Sequence, residues 1–109
     1  MATVDEILHT TTSTKQFARA LVTKWCFGRL SLVNRSRLRR KVRHCLHRFE
    51  QKRSMTMDAL STVSTKLQAY LVILKPEYNA YLPHRYHVAL EIDHLVTGFF
   101  TRRGWAMEY

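Results

Sequence analysis

The sequence predicts an all-α protein, a compact bundle of four to five helices in one domain spanning residues 1–109. Three observations lead there. Four segments gather their apolar residues on one side of a helical wheel, and none sustains an alternation of period two. Of the 109 residues 46% are apolar, with three glycines and two prolines, enough for one compact domain with a real core. No internal repeat, low-complexity tract or linker divides the chain, so one domain is expected.

A short opening helix over 3–9 is marked by Thr3 with Glu6 three positions later, the spacing of a capping box in which each side chain satisfies the other's backbone donor. The polar run over 9–14 ends it. A second helix over about 14–27 starts at Ser13 or Thr14. Phe17, Leu21 and Trp25 form one ridge, Ala18, Val22 and Cys26 the next, and Gly28 suits a left-handed stop. Half of its surface is apolar, which places it deep in the core.

The third helix lies within 35–53, from about Ser36, capped by Asn34, to Lys52. Leu38, Val42, Cys45, Leu46 and Phe49 fall within an arc of about 100°, the stripe of a helix with one buried face. A fourth helix over 56–75 starts from a cap at Ser54 or Thr56 and carries Leu60, Val63, Leu67, Tyr70, Leu71 and Leu74 on its stripe. Its opposite face is Ser, Thr, Gln and Ala, a surface suited to another helix or another subunit. Pro76 stops it. After a loop with Tyr78 and Tyr81, the helical period resumes over 85–100 with Tyr86, Ala89, Ile92, Val96, Phe99 and Phe100, and 101–109 form a tail.

Charge is the unusual property. The chain has 18 Lys and Arg against 8 Asp and Glu, a net charge of +10, in a composition too apolar for disorder. Between residues 35 and 53 stand Arg35, Arg37, Arg39, Arg40, Lys41, Arg43, Arg48, Lys52 and Arg53, with Glu50 as the one acid. A solvated helix face normally mixes signs, because like charges three or four apart repel by about a few tenths of a kcal/mol per pair. Here Arg39 and Arg43, Arg37 and Lys41, and Arg37 and Arg40 all stand at such spacings. A helix that tolerates this repulsion is expected to meet a polyanion, and its arginines suit planar, bidentate contact with phosphate.

The expected partner is therefore a nucleic acid held through its backbone, with affinity from counterion release and little dependence on base sequence. His44 and His47 add donors to phosphate or ribose and strengthen binding at mildly acidic pH. Tyr81 and Trp105 are candidates for stacking on unpaired bases. The alternative use of the loop and tail rings is to plug the ends of the bundle. RNA is favoured over DNA because the basic helix is not preceded by the short turn, nor opened by the Asn or Gln, of a base-reading helix-turn-helix. A symmetric homodimer would set two basic helices side by side, spanning about one turn of a duplex.

Other classes find little support. His44 with His47, and His84 with His87, have the spacing to share a zinc or nickel ion, but the first pair lies among arginines that repel a dication; no metal and no cofactor is expected. No acid, base and nucleophile converge, and Asp93 beside the last stripe reads as an ion-pair partner for an arginine of the basic helix or the tail. An enzyme is not expected. Cys26 and Cys45 are too few for a disulfide scaffold and read as reduced core thiols. The longest apolar run, 70–74, is far short of the ~20 residues of a membrane span. Acids at Asp5 and Glu6 stand where a signal peptide would carry bases. An intracellular protein, cytoplasmic or nuclear, is expected.

In format, as a small basic helical protein, the chain resembles the duplex-RNA-binding suppressors of RNA silencing made by some viruses. The likeness is one of size, charge and helicity and rests on no motif; it implies a viral protein directed at duplex RNA. The competing reading is a protein-interaction or regulatory module, its polar fourth helix and Tyr-rich loop engaging a protein and its arginines an acidic partner. Such a module would depend on a few anchors such as Tyr81 or Trp105.

Overall fold

A computed structural model describes residues 3–26, 31–72 and 82–108. Gly28, Leu74, Pro76, Tyr78, Tyr81 and Tyr109 lie outside the described residues, as do the side chains of Cys26, His84, Arg85 and Tyr86. The described residues form five helices and no strand: α1 (Val4–Thr10), α2 (Thr14–Cys26), α3 (Leu32–Lys52), α4 (Met57–Val72) and α5 (Leu82–Arg102). The fold is the expected all-α bundle. Its radius of gyration is 13.3 Å, against about 13 Å for a compact chain of this length.

Local chemistry explains where the helices begin. The Thr3 hydroxyl accepts from the Glu6 N–H at 3.2 Å, and Ser13 does the same for Gln16 at 3.2 Å, so both starts carry a hydroxyl cap. Thr56 caps α4 by accepting from Ala59 N–H at 3.1 Å. For α3 the expectation needs correction: the cap is Ser31, whose Oγ accepts from the Asn34 N–H at 3.3 Å. Asn34 therefore stands inside the first turn. The extra turn carries Leu32 and Val33, 78% and 62% exposed, residues off the buried stripe that periodicity could not assign to the helix. α5 likewise begins before the expected position 85, with Pro83 in the first turn, where a helix has no use for its missing N–H.

Two antiparallel pairs build the bundle, α2 with α3 and α4 with α5, and α1 lies on α5. Phe17, Ala18, Leu21, Val22 and Trp25 of α2 are buried, and so are Leu38, Val42, Leu46 and Phe49 of α3. From α4 come Leu60, Val63, Leu67 and Leu71, with Cys45 and Tyr70 packed at the margin. On α5 the buried arc is wider than its periodicity predicts: Val88 and Leu95 join Ile92, Val96, Phe99 and Phe100, while Ala89 is only half-buried. α5 meets α4 and α1, and its Phe99 stacks on Phe17 of α2, so a single stripe underestimates what it buries.

A chain of five rings ties the layers together. Phe17 stacks on Phe99 with centroids 4.2 Å apart, Phe99 meets Phe100 edge-on at 5.3 Å, and Phe100 meets Phe49 of α3 at 4.7 Å. Trp105 closes it, 5.1 Å from Phe100 and 5.7 Å from Phe49. Gly98 lets α1 approach α5: a Cβ there would stand 2.9 Å from a Leu8 methyl. The tail then returns to the start of α4, where Glu108 donates its N–H to Met55 C=O at 3.0 Å and accepts from the Ser54 hydroxyl at 2.9 Å.

Candidate nucleic-acid interface

α3 presents its stripe to α2 and α4 and the rest of its circumference to solvent. At about 1.5 Å rise per residue, its 21 residues make a rod of about 32 Å. Arg37, Arg40, Lys41, Arg43, His44, His47, Arg48 and Lys52 are all exposed along it. Three members of the expected site are placed differently. Arg35 shares the wheel position of the stripe, one turn before Leu38, and is half-buried. Arg53 lies beyond the last turn as the left-handed C-cap, with φ 51°. Arg39 sits half-buried on the flank next to α2.

Three carboxylates of the bundle are engaged by groups other than the arginines and lysines of α3. Glu50, the one acid of α3, accepts from the Thr14 hydroxyl at 2.5 Å and pairs with Arg103 at 2.8 Å. Glu91 takes Lys24 at 3.8 Å and His87 at 2.8 Å. Asp93 accepts from the buried Ser64 hydroxyl of α4, which corrects its expected pairing with an arginine: it points at α4, not at α3 or the tail. Among the described residues, no carboxylate pairs with Arg37, Arg39, Arg40, Lys41, Arg43, Arg48, Lys52 or Arg53. Cations without a carboxylate partner are the ones that can exchange counterions for phosphate, the exchange from which affinity is drawn.

Three further placements bear on the site. Trp105 is half-buried against Phe49 and Phe100, so part of its ring surface serves the bundle. Its remaining surface, with His47, Gln51 and Arg53, lines an open groove of about 820 Å³ at the end of α3. His47 also stands 4.0 Å from Glu50 and 3.4 Å from Gln51. Cys45 is a free thiol at the α4 flank; burial pushes it up, against the pull of Lys66 and Arg48. It stays protonated and a poor nucleophile at neutral pH. Among the described residues no three of His, Cys, Asp and Glu gather into a metal-ligating cluster.

Sequence reasoning misses Lys15 and Arg19. Both are exposed on α2 and, with Ser36, Arg39, Arg40 and Arg43 of α3, they line a cleft of about 220 Å³ floored by Ala18. Their own spacing, one helical turn apart on the polar side of α2, is the signal the sequence carries. The antiparallel pairing that brings them to α3 is not written there.

Glu50→Gln keeps the shape and removes the charge that holds Arg103 and Thr14. Stability should fall by about 1–2 kcal/mol, the worth of a charge-assisted hydrogen bond, while duplex affinity rises because α3 loses its acid. Urea melts and anisotropy titrations check the pair of effects. Unchanged stability would mean the Arg103 ion pair contributes nothing, as many exposed ion pairs do.

Comparison of the chain with protein-family models, with curated proteins and with solved structures finds no match. The functional reading therefore rests on the residues and their arrangement.

Proposed function

We propose that this protein binds nucleic acid without regard to base sequence, gripping backbone phosphates with the outer face of α3, and that it is not an enzyme. The observation that carries the reading is the unpaired cationic face itself: arginines and lysines crowd one exposed helix while its acid is engaged elsewhere. Arginine predominates there, which suits bidentate phosphate contact. Duplex RNA is the favoured ligand, since a rod of cations that reads backbone position matches the shape-based recognition of A-form duplexes. Self-association would double the face, and a role like that of the viral silencing suppressors, inside the cell, follows from the same chemistry. No described helix is long and apolar enough to cross a membrane.

The test is fluorescence anisotropy with duplex RNA, single-stranded RNA and duplex DNA of equal length at ~50 and ~200 mM salt. Duplex RNA should bind tightest and lose affinity most steeply with salt. Equal, weak binding to all three would overturn the reading and direct attention to an acidic protein partner. That second reading has one observation of its own, the exposed and nearly uncharged side of α4 made by Ser61, Thr62, Thr65 and Ala69.

A further inference from the structure

The cleft between α2 and α3 differs from the rest of the cationic face. Elsewhere on α3 the exposed cations lie along the convex surface of one helix. In the cleft five cations, Lys15, Arg19, Arg39, Arg40 and Arg43, converge from two helices on one concavity, with the Ser36 hydroxyl as a further donor and no carboxylate in the lining. Such convergence is costly to maintain unless a multivalent anion balances it. Arg39 is half-buried in this lining, and its Nε has no hydrogen-bond acceptor. The volume, about 220 Å³, is well above the ~10–15 Å³ that a single water needs. The small side chain of Ala18 on the floor leaves that room open.

We propose that this cleft is a phosphate-binding site, and that on the nucleic-acid reading, on which this part rests, it seats a backbone phosphate and makes Lys15 and Arg19 part of the interface. Phosphate fits the lining: its oxygens accept from several directions at once, as guanidinium forks, an ammonium and a hydroxyl require. The bound strand then runs along the α2–α3 groove, not along the α4 flank where Lys41 and Lys52 lie. The fold does not depend on the two α2 cations, whose side chains are exposed and outside the core.

Two measurements on the full chain test this. Inorganic phosphate is titrated into ¹⁵N-labelled protein at constant ionic strength, with chloride as the control. Saturable shifts should appear at the amides of Lys15, Arg19, Ser36 and Arg39 and vanish in Lys15→Ala/Arg19→Ala. Anisotropy with duplex RNA then compares that variant with Lys41→Ala/Lys52→Ala, which removes the same charge from the other flank. The cleft variant should lose about tenfold or more and the flank variant about threefold or less. Shifts that grow linearly and everywhere overturn the site. Saturable shifts with equal losses in the two variants leave a phosphate site but overturn its part in nucleic-acid binding. If phosphate saturates the cleft and the wild-type protein binds no duplex, the nucleic-acid reading fails and the phosphate site stands.

Discussion

Replacing Phe100 by alanine lowers folding stability by about 3–5 kcal/mol, a large part of the ~5–15 kcal/mol that holds a domain of this size. The ring is fully buried where three others meet: Phe99 at 5.3 Å, Phe49 at 4.7 Å and Trp105 at 5.1 Å. Removing it leaves a cavity among rigid aromatic neighbours on α3, α5 and the tail, and rings collapse into such a space less readily than aliphatic chains do. The Phe100 carbonyl also receives the N–H groups of Arg103 and Trp105, each at 3.1 Å, so disturbance there reaches the turn that carries the tail. Urea unfolding followed by tryptophan fluorescence measures the loss. Phe100→Leu, which keeps most of the volume, should cost less. A fall below ~1 kcal/mol for the alanine variant would mean that the chain of rings does not hold the bundle together.

That cluster shows what can be read from one sequence and what cannot. Leu38, Val42, Leu46 and Phe49 mark the buried side of α3 by spacing alone, because a helix packed on one side writes a single stripe. On α5 Val88 and Leu95 share the spacing of Ile92 and Phe99, and a stripe drawn through Ala89 and Val96 leaves them at its edge because α5, covered on several sides, buries a wider arc. Ser31 gives no sign of being a cap because Leu32 and Val33 after it belong to no buried face. The cationic face is legible because local charge density needs no tertiary information. Its completion by Lys15 and Arg19, and the engagement of Glu50 by Arg103, depend on residues distant in the chain that only packing brings together. The partner of Asp93 is hidden for the same reason, Ser64 lying on the other antiparallel helix.

The second large effect is functional. Changing Arg37, Arg40, Arg43 and Arg48 together to alanine should weaken duplex RNA binding by about a thousandfold at ~50 mM salt, taking about 1 kcal/mol for each phosphate no longer held and tenfold for each ~1.4 kcal/mol. Each side chain is exposed and pairs with no carboxylate. The variant should therefore keep its helicity and melt no earlier than the parent. It should melt slightly later, since repulsion along α3 is relieved. That combination, weakened binding on an intact fold, separates a binding face from a structural one.

The most direct test of a phosphate-gripping α3 is the slope of log Kd against log salt for duplex RNA, measured for the wild-type protein and this fourfold variant. The wild-type slope should correspond to ~5–8 phosphates neutralised, and the variant's should be lower by about four, near one for each arginine removed. An unchanged slope in the variant would place the phosphates somewhere other than the outer face of α3 and contradict its role as the binding face.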